Sequence, residues 1–228
     1  LDTSCCVNWL KGRGFKVICF SANLGSEFSP YDLKTRAVKS GADKIYIKDL
    51  KKEFAYDYIL PALCANAVYE GKYVLSTALG RPLIAKYLVE VAKKEKAAFV
   101  AHGSTAKGND QVRLELSIRI LSPRLKIIAP LREWDLASRE DEIEYAKKNK
   151  IPIKASRSKI YSIDQNIWGV SIEGGNLEDL NKEPVLNSYV FVKPLKSSLN
   201  KEVYIDIEFL KGVPYKINNQ KMDLVSII

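Results

Sequence analysis

From its first residue to about position 150, the chain alternates short apolar runs with longer stretches whose apolar positions recur every three or four residues. The runs at 16–20, 44–48, 97–101 and 126–129 are rich in β-branched and aromatic residues and predict strands. Helical spacing covers 3–10, where Cys5, Cys6, Trp9 and Leu10 share a face, Ser4 lies near the start, and Gly12 and Gly14 follow. It returns at 31–40, stopped by Gly41, and at 50–69, where Pro61 should kink or split the helix. Further helices are predicted at 83–95 and 110–121, and another begins at Ser138 and runs to Asn149, with acidic residues crowding its first turn. Strands alternating with helices of this length predict βαβ units, right-handed crossovers and a doubly wound parallel sheet in an α/β domain.

Beyond about Ile151 the helical spacing fades and turn residues gather at 174–176 and 196–200. Val203, Ile205, Ile207 and Phe209 alternate as a half-buried antiparallel strand should, and residues 211–214 read as a hairpin turn into a strand at 215–217. The expected division is therefore an α/β domain over 1–150 and part of an α+β domain over 151–228.

Composition adds little to the fold but narrows the function. Hydrophobic residues make up 46% and charged residues 28% of the 228, which is globular usage. The apolar run at 59–65 is far short of the roughly 20 residues that cross a bilayer. The net charge of +9 is spread along the chain in pairs such as Lys51-Lys52 and Lys93-Lys94, as solvated helix faces would carry it, without a block that marks a nucleic-acid stripe. A field of that sign helps to collect anionic ligands. Cys5, Cys6, Cys19 and Cys64 form no metal or redox spacing, and three of the four fall in apolar stretches, as core thiols in a reducing compartment do. The expectations are a cytoplasmic protein with neither nucleic acid nor membrane as partner. Because it starts at Leu1 and stops inside an apolar run, the sequence also reads as a fragment.

Four segments carry candidate chemistry. Leu1-Asp2-Thr3-Ser4 opens the first helix, where unpaired N–H groups and the dipole make an anion site, although D-T-S is also an ordinary helix start. Residues 102–113, His102 to Arg113, follow a predicted strand and enter a helix, which places them at the ligand-binding edge of a parallel sheet. Glycines, amide, carboxylate, hydroxyl and guanidinium groups meet there, a set suited to a zwitterionic amino acid. Residues 73–82 read as a turn before a helix, and residues 161–172 as strand carrying Ser162 and Ser171. His102, the single histidine, has no carboxylate partner evident from spacing and is assigned a structural role at the strand end.

In this order the segments resemble the argininosuccinate synthases, members of the N-type ATP pyrophosphatases, over essentially the whole chain. The resemblance implies an adenine nucleotide alpha-hydrolase-like domain followed by part of a synthetase domain. The activity it implies is ATP-dependent ligation of citrulline and aspartate through a citrullyl-adenylate, with magnesium, in a homotetramer. Leu1, Asp2, Thr3 and Ser4 match the tail of the pyrophosphate loop, and Ala22 and Gly103 the adenosine site. Thr105, Asn109 and Asp110 match aspartate-binding positions. Tyr73, Thr77, Asn109, Arg113, Ser162 and Ser171 match citrulline-binding positions. No residue is implied as a nucleophile. Ala78, Ala106 and Ser26 depart from the usual family residues. A tRNA-adenylating enzyme and an incomplete binding remnant are the competing readings.

Overall fold

The computed structural model describes residues 1–26, 29–105, 108–136, 138–152, 161–184, 189, 192 and 201–228. Along the chain run α1 (Asp2–Gly12), β1 (Ile18–Asn23), α2 (Pro30–Lys39), β2 (Lys44–Asp49), α3 (Lys51–Glu53) and, after a π-helical stretch at Phe54–Ile59, α4 (Leu60–Cys64). Then come α5 (Ser76–Lys94), β3 (Phe99–Ala101), α6 (Asn109–Leu121), β4 (Lys126–Ile128) and α7 (Arg139–Lys148). The remainder holds β5 (Ser162–Asn166), β6 (Gly169–Glu173), β7 (Ile207–Leu210), β8 (Val213–Ile217), β9 (Gln220–Lys221) and α8 (Leu224–Ile227). Two compact units interleave along the chain: one comprises Leu1–Asn23, Glu27–Lys48 and Arg81–Lys159, the other Leu24–Ser26, Asp49–Gly80 and Ile160–Ile228.

In the first unit, β1 pairs with β2, and β3 pairs in parallel with β4, in register from Phe99 opposite Lys126 to Ala101 opposite Ile128. Helix α6 makes the crossover between β3 and β4, as a parallel pair requires. Its Leu114 and Ile118 pack with Val100 of β3 and with Ala85, Val89 and Ala92 of α5. Ile118 is fully buried, which contributes roughly 1.5–3 kcal/mol. A second core joins Val7, Trp9 and Leu10 of α1 to Val17 and Ala42. Helix α7 lies along α1: Cys5, Ala146 and Ile151 are buried together, and the Tyr145 hydroxyl donates to Asn8 Oδ1 at 3.0 Å. Ser138 caps α7 in a reciprocal box with Asp141, and Ser29 caps α2.

In the second unit, β5 and β6 form an antiparallel hairpin and β7–β8–β9 a three-stranded antiparallel sheet. The β7–β8 turn is Lys211-Gly212, both at positive φ (51° and 80°), as a tight two-residue hairpin demands.

Several local expectations are corrected. Residues 73–82 are not a turn: α5 begins at Ser76 and runs through Pro82, which leaves the Ala78 carbonyl without its helical N–H partner. Pro61 does not kink a long helix. The irregularity precedes it, in the π-helical stretch, and Pro61 occupies the first turn of α4, where a missing N–H costs nothing. Within 203–209 only β7 is strand, and Val203, Ile205, Ile207 and Phe209 are all exposed. The turn expected at 196–200 lies outside the described residues.

Candidate active site

Side chains cap α2 and α7, but none caps α1 or α6. Among the described residues no side chain caps the first turn of either helix, where the positive dipole end lies. Leu1 is the N-cap residue of α1, so Ser4 does not act as the cap. Asp2 and Ser4 are half-buried and Thr3 is exposed.

The loop after β3 meets the start of α1. A Cβ placed on Gly103 would lie 3.3 Å from the Thr3 backbone nitrogen and 3.4 Å from Cys6 Sγ. Two segments separated by a hundred residues thus come within van der Waals reach at the C-terminal end of a parallel strand, and glycine is the residue that fits. Ala22 stands near the C-terminal end of β1 in the same unit. Thr105 is exposed, with its Oγ1 3.2 Å from where a Gly108 Cβ would lie. Ala106 lies outside the described residues.

On α6, Asp110 sits between two guanidinium groups, 2.6 Å from Arg81 and 3.0 Å from Arg113. Burial alone would raise the Asp110 pKa, but Arg81 and then Arg113 outweigh it and hold the carboxyl below its ordinary range. The cluster joins two guanidinium groups to one carboxylate beside the exposed Asn109. Beneath Asp2 the balance is reversed. Glu142 of α7 is buried and hydrogen-bonded to Asp2, and burial, then that bond, then the Asp2 charge push its pKa well above the carboxylate range. Burial likewise raises the thiols of Cys5 and Cys19 to about 11 and that of Cys6 further, which matches their reading as core groups.

The second unit carries Tyr73, Thr77, Ser162 and Ser171. A turn with Glu70 and Gly71 at positive φ bridges Tyr69 to Tyr73 and delivers the Tyr73 ring to the start of α5. There its phenolic oxygen accepts the Thr77 backbone N–H at 3.1 Å and bonds to Thr77 Oγ1 at 2.9 Å. Burial opposes ionisation of Tyr73, yet the bonds from Thr77 and its neighbours outweigh it and lower the pKa. Ser171 pairs opposite Asp164, two residues from Ser162, so both serines project from one face of the β5–β6 hairpin. Asn166 anchors the hairpin: its Nδ2 donates to the Ser76 carbonyl at 2.7 Å, and its Oδ1 accepts from the N–H groups of Trp168 and Gly169. The Trp168 indole N–H donates to the Val74 carbonyl at 2.9 Å. Ala78, half-buried in α5, brings no hydroxyl to this turn.

Arg81, Glu142 and Asn166 support these clusters, although the sequence pattern points to none of them. The Asp110–Arg113 pair is visible as an i,i+3 spacing once α6 is drawn, and Asn166 as the turn residue of a hairpin. Nothing in the spacing pairs Arg81 with Asp110.

The parallel crossover and the glycine set against a helix N-terminus are those of an α/β domain of the HUP class. The family model for the arginosuccinate synthase N-terminal HUP domain matches residues 1–152, and that for the arginosuccinate synthase C-terminal domain matches residues 161–228. The chain belongs to the argininosuccinate synthase family. The argininosuccinate synthase of Pelotomaculum thermopropionicum is 51% identical over 100% of this chain and 57% of its own length. Those of Caldanaerobacter subterraneus and Dictyoglomus turgidum are 52% and 51% identical, again over 100% of this chain, covering 56% and 57% of their own lengths. The chain thus spans a little over half the length of these relatives. The tRNA-adenylating alternative finds no support among these matches.

Proposed function

We propose that this chain supplies the ATP-binding part and much of the amino-acid-binding part of an argininosuccinate synthase, with a functional division near residue 150. The enzyme would act in the cytoplasm as a homo-oligomer, and a tetramer is what the family resemblance implies. In the proposed reaction the citrulline ureido oxygen attacks the α-phosphorus of ATP, pyrophosphate departs, and the aspartate amine then displaces AMP from the activated carbon.

The observation that carries this reading is the approach of Gly103 to Thr3 at the uncapped start of α1. The free N–H groups of α1, with the Thr3 and Ser4 hydroxyls, are assigned to the ATP phosphates, and the backbones of Gly103 and Ala22 to the adenosine end. The first turn of α6, with Asn109 and Asp110, and Thr105 before it are assigned to aspartate. Guanidinium groups beside it are of the kind that bind a substrate's carboxylates. Tyr73, Thr77, Asn109, Arg113, Ser162 and Ser171 are assigned to citrulline, with guanidinium for its carboxylate and hydroxyls for its polar ends. No side chain is assigned as nucleophile. Orientation of two reactants can itself lower a barrier by roughly 7–11 kcal/mol.

No group of three or more metal-ligating side chains exists among the described residues. Magnesium is usually held by substrate phosphates, water and one or two carboxylates, and Asp2 would supply one here. When bound it would neutralise charge on the departing pyrophosphate.

The test is pyrophosphate release by the intact protein supplied with ATP, citrulline and aspartate. Release must depend on citrulline. Release from ATP alone at the same rate would refute the ligase reading.

A further inference from the structure

Residue His102 is buried, 8% exposed, and no role in binding or catalysis has so far been given to it. Its hydrogen bonds fix its chemistry. The Ser104 backbone N–H donates to Nδ1 at 3.3 Å, so Nδ1 carries the lone pair and the ring proton resides on Nε2. Nε2 lies 3.1 Å from Glu115 Oε1 on α6, and donates to it. Arg132, from the single 3-10 turn after β4, holds the same oxygen at 2.5 Å and also bonds Gln111 one turn earlier on α6. Burial, with a smaller push from Arg132, lowers the imidazole pKa against the pull of Glu115, which keeps the ring neutral. Glu115 is kept ionised: burial opposes this, but Arg132 and His102 outweigh it. The backbone of His102 is held separately, by a hydrogen bond from its N–H to the Ile128 carbonyl of β4 at 3.3 Å.

One imidazole therefore ties together β3, its own following loop and α6, while a guanidinium ties α6 to the segment after β4. The residue directly after His102 is Gly103, the one pressed against Thr3. The two segments run close enough there that a Cβ added to Gly103 would come within 3.3 Å of the Thr3 backbone nitrogen.

We propose that His102 is a positioning residue for the ATP site, which sets the distance between the Gly103 backbone and the first turn of α1 through its bonds to Ser104 and Glu115. The inference rests on the assignment of Gly103 and Thr3 to ATP made above. It gives His102 no proton transfer. Its ring acts as a two-ended strut with a fixed tautomer, and Glu115 and Arg132 lock the far end.

Two variants of the intact protein separate this role from general stability. His102→Asn keeps an acceptor near the position of Nδ1 but cannot reach Glu115, and Glu115→Ala removes the far anchor while leaving the ring. His102→Asn gives up the bond to Glu115, and Glu115→Ala gives up the bonds from both His102 and Arg132, so equilibrium ATP affinity should fall about five- to tenfold in the first and at least as much in the second. KM for citrulline should stay within about twofold, because Tyr73, Thr77, Ser162 and Ser171 are untouched. If ATP affinity is unchanged in both variants, or if all three substrates weaken equally, His102 does not position the ATP site. Should His102→Asn fail to fold, Glu115→Ala decides alone by the same criteria. Wild-type protein whose pyrophosphate release ignores citrulline would instead overturn the ligase reading, and the two failures are thereby told apart.

Discussion

The phenolic oxygen of Tyr73 takes the place of a helix cap for Thr77, accepting its backbone N–H at 3.1 Å while bonding its hydroxyl at 2.9 Å. A side chain assigned to a substrate thus also completes the first turn of α5. Structure and binding are joined at one atom.

Tyr73→Phe should therefore have two effects. Loss of the acceptor should destabilise the protein by about 1 kcal/mol, as loss of a helix cap does. KM for citrulline should rise several-fold with KM for ATP unchanged. Denaturant unfolding and steady-state kinetics check the two effects separately, and a rise confined to ATP would contradict the assignment.

Asp110 should matter for charge balance as much as for contact. Asp110→Ala leaves Arg81 and Arg113 without their shared anion, and charge-assisted bonds of this kind are worth about 1.5–3 kcal/mol. Use of aspartate should weaken about tenfold or more, with ATP affected far less. Equal increases in both Michaelis constants would speak against the assignment.

Gly103→Ala places a methyl group 3.3 Å from the Thr3 nitrogen, and the backbone there must yield. ATP affinity should fall, by roughly tenfold if about 1.4 kcal/mol of binding is lost. Gly12→Ala is the control: nothing lies within 4 Å of its Cβ, so it should be neutral or stabilise by about 0.4–1 kcal/mol. Calorimetric titration of ATP into both variants checks this.

Glu142 sets a pH dependence whose sign is fixed. Its pKa is raised in the folded protein above the ordinary 4.5, so between those values the folded chain holds a proton that the unfolded chain has lost. Its stabilising share is complete below 4.5 and declines as pH rises toward the folded value. Glu142→Gln keeps the neutral shape and should flatten that decline, gaining stability at neutral pH relative to wild type. Unfolding midpoints measured from pH 4 to 8 decide it, and parallel curves for the two proteins would count against a protonated Glu142.

Much of this was legible in the sequence because local chemistry and tertiary context agreed. Ser138 and Asp141 announce α7 by a capping box, and Gly103 sits where a strand hands over to a helix. Legibility failed where context overrode local signals. Pro82 reads as a helix start, yet α5 absorbs it seven residues in. Residues 203 to 209 alternate as a strand, but exposure on both faces shortens the paired part to β7. The partners of Glu115 and Asp110 on other elements, Arg132 and Arg81, were invisible for a different reason. Charge pairing across 17 residues (Arg132 with Glu115) or 29 (Arg81 with Asp110) is set by packing, which a linear pattern does not encode.

The four thiols differ in a way that makes the molecule easy to tag. Cys5 and Cys6 are sealed behind the first helix, Cys19 is partly covered, and Cys64 alone lies open to solvent. A maleimide fluorophore applied briefly at neutral pH should thus mark a single position at the end of α4, in the second unit. Such a tag would report ligand-dependent movement there without touching any residue assigned to ATP.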